Sequence, residues 1–188
     1  MQNGDWYNME YHFNLPIDDM EIKKLKIGDI IYLTGIFFTA RDEAHHIMIN
    51  SDKKSIQFDP SKMALFHCGP LMKKTQNHWH EIDAGTSIGS RLELFEADLL
   101  EKFPLIQVII GKGGMGKDTL TALHNKGVYL SYTGGAAALA ADQISTVKDV
   151  FWLEELGMAE AIWIFEVTSF GPLVVGMDAH GHSLFHKE

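Results

Sequence analysis

The stretch Asp83-Ala84-Gly85-Thr86-Ser87-Ile88-Gly89-Ser90-Arg91 puts two adjacent hydroxyls and a guanidinium into one short polar loop, which runs on into Leu92-Glu93-Leu94-Phe95. Ser90 followed three residues later by Glu93 has the form of a capping box, which predicts a helix from about Ser90. A helix start presents free backbone N–H groups and a positive dipole end, and both favour an anion. Arg91 adds a planar fork suited to a carboxylate, at a position where acidic residues are the usual choice. Thr86 and Ser87 set hydroxyls beside any anion held there. The expected chemistry is carboxylate binding next to a group that can move a proton. The plainer reading keeps the hydroxyls as helix caps and Arg91 as a surface side chain.

Other clusters invite other chemistry. Arg41 and His45 share a helical face by their i, i+4 spacing, and they follow a strand end, where α/β sheets place ligands. Gly111-Lys112-Gly113-Gly114-Met115-Gly116-Lys117 satisfies seven places of a phosphate-binding P-loop, but Asp118 stands where a Ser or Thr hydroxyl should hold magnesium. Asp118 reads better as a helix N-cap. A P-loop ATPase is therefore the rival enzyme reading, and Lys112 is the lysine such a loop would offer to a carboxylate instead. Of the ten histidines, His78-x-His80 and His180-x-His182 have the alternate spacing that shares one strand face. Neither pair has a third ligand at convincing spacing, so no metal site is expected. Cys68 reads as a small core residue, and Trp152 and Trp163 as core aromatics.

The elements that must position these groups follow a strand–loop–helix rhythm. Ile30 to Phe38 is a β-branched and aromatic run with the character of a buried strand. Residues 40–48 have helical spacing, residues 64–68 form a short strand closed by Gly69-Pro70, and residues 79–82 form another. Strands are expected at 105–110 and 128–132, with a helix from about Thr119 to Lys126 between them and an alanine-rich helix after Gly134-Gly135. Residues 162–167 and 173–176 read as two strands joined by a turn at 169–172. Residues 1–20 read as an N-terminal arm and 21–188 as one α/β domain with a mixed sheet.

At 188 residues with 46% hydrophobic and 22% charged content, the chain has the composition of a folded domain with a sizeable core. A formal charge of −9 with no Lys/Arg-rich face argues against nucleic acid as a partner. No apolar run approaches membrane-spanning length. The N-terminus lacks the charged and apolar regions of a secretory signal, and a single cysteine suits a reducing, cytoplasmic setting. One cysteine cannot hold a metal–sulfur cluster.

Taken in order, these segments resemble the β subunit, or C-terminal domain, of the iron–sulfur-dependent class I fumarate hydratases and L-tartrate dehydratases. The resemblance rests on Gly28-Asp29-Ile30-Ile31-Tyr32-Leu33-Thr34-Gly35, Thr39-Ala40-Arg41-Asp42-Glu43-Ala44-His45, Phe66-His67-Cys68-Gly69-Pro70 and Gly85-Thr86-Ser87-x-x-x-Arg91. It continues through Ile110-Gly111-Lys112-Gly113-Gly114-Met115-Gly116, Gly134-Gly135-Ala136-Ala137, Glu155-Leu156-Gly157-Met158, Phe170-Gly171-Pro172-Leu173 and Asp178-Ala179-His180-Gly181. The order is collinear over about residues 20–185, which is more specific than any one motif.

The resemblance implies a swivelling β/β/α domain, with a mixed sheet flanked by helices, that closes over a cluster-bearing α subunit. A [4Fe–4S] cluster would sit on that partner's cysteines, and this chain would bind none alone. The implied reaction is reversible trans removal of water from a small hydroxy-dicarboxylate, tartrate or malate, within a hetero-oligomer; a homodimer is the alternative state of the isolated chain. By position, Arg41, Arg91 and Lys112 match the family's carboxylate-binding cations. Ser87 falls at the threonine regarded as the base, with Thr86 beside it, Gly85 opening the stretch, and His45 in the Arg41 motif as an orienting residue. Thr86 stands where the family usually has proline, Ser87 where it has threonine, and Ile88 where it has a second threonine. A non-catalytic assembly subunit is the third reading.

Overall fold

A computed structural model describes residues 8–185 apart from Asn77, Gly134 and Ala136. Residues 1–7 of the expected arm, and two residues of the Gly134-Gly135-Ala136-Ala137 motif, lie outside the described residues.

Among the described residues there are nine strands and six short or medium helices: β1 (Glu10–Asn14), α1 (Asp19–Ile22), β2 (Ile30–Thr39), α2 (Asp42–Asn50), β3 (Ala64–Phe66), β4 (Leu71–Thr75), β5 (His78–Asp83), α3 (Gly89–Lys102), β6 (Val108–Lys112), α4 (Lys117–Leu123), β7 (Val128–Tyr132), α5 (Ala137–Asp142), β8 (Ile144–Phe151), α6 (Leu153–Leu156) and β9 (Ile162–Met177). Seven of the strands form one mixed sheet in the order β1-β2-β3-β6-β7-β9-β8. An additional antiparallel pairing of β2 with β9 closes β2, β3, β6, β7 and β9 into a ring. β4 and β5 make a separate hairpin. Within the stretch read as an arm, Glu10–Asn14 runs parallel to β2, with Glu10 opposite Ile30.

Strand periodicity divides the core in two, because successive side chains on a strand point to opposite faces. Phe37, Phe66, Val108, Ile110, Leu130 and Phe165 face one apolar cluster, which also takes Phe170 and Val175. Their neighbours Phe38, Leu65, Ile109, Tyr129 and Ile164 face a second cluster with Leu92, Leu99 and Leu100 of α3 and Leu123 of α4. The sheet is thus apolar on both faces, and helices cover the second, as parallel strands require.

One expectation is overturned. The residues expected as two strands with a turn at 169–172 form the single 16-residue strand β9. Ser169 at φ +52° and Gly171 at φ +159° do interrupt the ladder. Both flanks nevertheless stay on the same neighbour, with Phe170 opposite Leu33 and Leu173 opposite Ile31, so these residues make an irregularity rather than a reversal. Parallel pairing of β2, β3, β6 and β7 has the main functional consequence: the residues that leave these strands all emerge at one end of the sheet.

Candidate active site

Two of the expected residues, Arg41 and Lys112, lie at or just beyond those carboxyl ends, with Gly69 near them. Arg41 follows β2 and stands in extended backbone at the start of α2. Gly69 follows β3, and Lys112 is the last residue of β6. The hydroxyl loop is stitched between them. Thr86 bridges Cys68, Ile88 bridges Lys112, the Ser87 N–H donates to the His67 carbonyl at 2.7 Å, and the Lys112 N–H donates to the Ser87 carbonyl at 3.1 Å. Ser87 therefore occupies a strand-like position between the ends of β3 and β6. Gly85 precedes it in a turn where its N–H donates to Asp83 Oδ1 at 2.8 Å.

The two arginines are held by carboxylates. Arg91, on the exposed first turn of α3, meets Asp42 through Nε at 3.1 Å and Nη2 at 2.9 Å. Arg41 Nε lies 3.3 Å from Glu160. Asp42 follows Arg41 directly, so the start of α2 carries one guanidinium and orients the other. Gly69 makes room for this arrangement, since a Cβ there would lie 2.7 Å from Arg41 Cδ and 2.9 Å from the Ala159 carbonyl oxygen. Among the described residues, neither Ser87 Oγ nor Lys112 Nζ is engaged in a hydrogen bond or ion pair.

The capping-box expectation fails for a specific reason. α3 starts at Gly89 with Ile88 at its cap and no side-chain cap bond. Glu93 reaches instead across to α4, accepting from the N–H of Gly116, from Asp118 N–H at 3.1 Å, from Thr119 N–H at 3.2 Å and from the Thr119 hydroxyl at 2.6 Å. The expected Asp118 cap is likewise replaced, because Gly116 occupies the cap position and Asp118 lies inside the first turn. This overturns the ATPase reading. The helix N-terminus that would cradle a phosphate already holds the carboxylate of this chain's own Glu93, and a Cβ on Gly116 would lie 2.3 Å from that carboxylate.

His45 is fully buried, and its ring meets the Arg41 carbonyl through Nδ1 at 2.7 Å and Glu96 Oε1 through Nε2 at 3.0 Å. His67 Nε2 reaches the same Glu96 oxygen at 2.6 Å. Glu96 and His67 escaped the sequence reading; Glu96 lies one helical turn beyond Leu92 on the buried face of α3, but a lone Glu on an apolar stripe gives no hint of its partners. Burial pushes the Glu96 carboxyl up, but the two imidazoles outweigh it and hold the group down at about 2. Burial disfavours charge on His45, yet Glu96 and the Arg41 carbonyl raise its pKa above the ordinary histidine value. For His67 burial prevails and the pKa is lowered.

His45, His67 and Glu96 are also, among the described residues, the three ligand-type side chains that converge. Their 2.6 Å and 3.0 Å N···O contacts suit shared protons. Ligands at about 2.0 Å around one tetrahedral zinc would stand roughly 3.3 Å apart. Among the described residues, neither histidine pair of the sequence reading converges on a third ligand; His182 pairs with Asp178, and His180 bonds the Lys23 carbonyl. Cys68 is buried, and desolvation, with Asp83 nearby, pushes its thiol well above the ordinary value. The chain's one cysteine does not fit a cluster ligand.

Arg41, Lys112 and the hydroxyl loop of Thr86 and Ser87 thus gather at the carboxyl ends of the parallel strands of an α/β domain. The Fumarase C-terminus family model matches residues 5–188, and the chain belongs to that family. It is 43% identical over 182 residues to a protein of Methanocaldococcus jannaschii provisionally named L(+)-tartrate dehydratase subunit beta, covering 95% of this chain and 92% of that one. It is 36% identical over 170 residues to the L(+)-tartrate dehydratase subunit beta of Escherichia coli K12, covering 90% of this chain and 83% of that one. A protein of Geobacillus stearothermophilus provisionally named fumarate hydratase class I is 41% identical over 171 residues, and this chain spans 90% of itself but 32% of that longer protein.

Proposed function

We propose that this chain is the β subunit of a hydro-lyase that reversibly dehydrates a small hydroxy-dicarboxylate, tartrate or malate, in complex with an α subunit. The observation that supports the reading best is the placement of Ser87 between the ends of β3 and β6, joined to Lys112 through its carbonyl and at the sheet end where Arg41 also emerges. Arg41 and Arg91 each offer a planar fork to a substrate carboxylate, already aimed by Glu160 and Asp42. Lys112 adds a point charge from the end of β6. Ser87 Oγ passes the proton at the carbon next to the carboxylate, with Thr86 alongside.

The class of enzyme implies an iron–sulfur cluster at the leaving hydroxyl. With one buried cysteine, this chain supplies no ligand set for it, so the cluster is assigned to the α subunit.

The test is reconstitution with the α subunit followed by Arg91→Ala. Dehydration of tartrate and malate should fall below detection. The thermal midpoint should move by less than about 4 °C, since an exposed ion pair is worth ~0–1 kcal/mol. Full turnover in that variant would overturn the site, and Ser87→Ala in the same complex separates catalysis from a purely assembling role.

A further inference from the structure

Glu96, His45 and His67 form a buried ionic network that no step of the reaction touches. Burying a carboxylate with two imidazoles is costly, and apolar residues of similar volume are often as stabilising. Here the cost is compounded, because His67 Nδ1, Glu96 Oε2 and the Tyr129 hydroxyl are buried without partners among the described residues. A network that stabilises this poorly asks for a different reason to exist.

Its connections supply one. The His45 Nδ1–H donates to the carbonyl of Arg41, one helical turn away, and the His45 backbone N–H donates to that same carbonyl at 2.9 Å. The His67 carbonyl accepts the Ser87 N–H, and the His67 N–H donates to the Ile110 carbonyl of β6 at 2.8 Å. Glu96 itself sits five residues beyond Arg91 on α3. One carboxylate oxygen thus ties together the three backbone segments that carry Arg41, Ser87 and Arg91, and Ser87 in turn holds Lys112 through its carbonyl.

The protons follow from the partners. A carbonyl and a carboxylate only accept, so both His45 nitrogens carry hydrogen and the ring is an imidazolium. His67 has one such partner and is neutral, with its proton on Nε2. Charge is balanced within the triad.

We propose that Glu96 is a positioning residue of this site, holding Arg41 and Ser87 in register with Arg91 by sharing its Oε1 between His45 and His67. The proposal rests on the assignment of Arg41 and Ser87 given above, and its tests separate the two. In the reconstituted complex, Glu96→Gln should lower kcat at least about tenfold and raise KM several-fold, since small misplacements cost rate steeply. In an Arg41→Lys background the same change should cost less than about threefold further, because residues acting as one unit are not additive. Equal fold-losses in both backgrounds, or an unchanged kcat and KM, would overturn it.

Two readouts on the chain itself need no activity. Nitrogen-15 spectra of the wild-type histidines at neutral pH should show His45 protonated on both nitrogens and His67 on Nε2 alone. In Glu96→Gln, the amides of His45 and Ser87 should exchange about tenfold faster while those of Ile109 and Tyr129, in the β6–β7 ladder, keep their protection. Stoichiometric zinc with unprotonated Nε2 atoms, or uniform loss of protection, would each refute the positioning role. Failure of Arg91→Ala to abolish turnover would instead strike the site assignment and leave these readouts standing.

Discussion

Ser87 is the residue on which the proposed chemistry turns, and its environment gives it a narrow job. Its backbone is pinned on both sides by the His67 carbonyl and the Lys112 N–H, while among the described residues its hydroxyl makes no bond. Ser87→Ala removes the proton-moving atom without disturbing that stitching. In the reconstituted enzyme it should lower kcat by ~10²- to 10⁴-fold, the range of a lost proton-transfer group, with KM within about threefold. Ser87→Thr should keep activity, since β-branching only narrows the rotamers. The buried triad makes a second prediction, in the pH dependence of stability. His45 faces Glu96, His67 and Phe95 and feels Asp42, and its pKa is raised in the folded chain. Its contribution is fully present below the unfolded histidine value of about 6.5 and lost as pH rises through the folded value. Glu96, held at about 2, contributes above about 4.5 and loses that contribution as pH falls toward 2. His67, lowered, stays neutral while the unfolded chain takes up a proton, so it costs stability as pH drops below about 6.5. Urea midpoints measured from pH 5 to 9 should therefore decline above about 6.5, and Glu96→Gln should flatten that decline. An alkaline limb identical in both proteins would refute the assignment of His45.

At the scale of elements, Glu93 is the joint between α3, which carries Arg91, and the glycine-rich loop that follows Lys112. Its carboxylate takes three backbone N–H groups and the Thr119 hydroxyl at the start of α4. Glu93→Ala should cost roughly 1–3 kcal/mol, since it strips a charged cap from donors that are partly buried. Denaturant unfolding measures it, and a change under about 0.5 kcal/mol would show the clamp to be dispensable. Gly69→Ala tests positioning from the other side. A methyl 2.7 Å from Arg41 Cδ and 2.9 Å from the Ala159 carbonyl must displace the guanidinium, so KM should rise about tenfold or more. These joints mark what the sequence could and could not disclose. Strands such as Val128–Tyr132 and Ile30–Thr39 announce themselves by β-branched and aromatic runs, and Arg41 was legible as a residue just past a strand end; that Ser87 and Lys112 share that sheet end emerged only from the fold. Ser90 and Glu93 satisfied a local capping rule, but the start of α4 offered the Glu93 carboxylate four donors and won. β9 contains turn-type residues, yet pairing with β2 on both sides of them overrides the local signal. β8, with polar Thr146, Lys148 and Asp149 among its eight residues, lacks the apolar weight that marks a buried strand. Glu96 and His67 could not be paired from the chain at all, since residues 29 apart meet only through the fold.

At the scale of the whole molecule, the closure of five strands into a ring leaves one end of the sheet as a platform rather than an enclosed pocket. Arg91 and Lys112 on that platform are exposed, while Ser87 and Arg41 are half-covered. A dicarboxylate resting there would meet cations from below and solvent from above, so water exclusion falls to whatever closes over it. That division of labour places a limit on Cys68. It is buried beneath the platform beside the Cys68–Thr86 bridge, with its thiol held protonated by desolvation, whereas a cluster ligand must be a thiolate at the surface facing the iron. Cys68→Ala in the reconstituted complex should therefore leave the visible absorbance of the cluster and the iron content unchanged. Its cost should appear only as the loss of one small buried side chain, about 1 kcal/mol by denaturant unfolding. Loss of the cluster from that variant would mean that this chain contributes a ligand after all, and the assignment of the iron chemistry to the partner would fall with it.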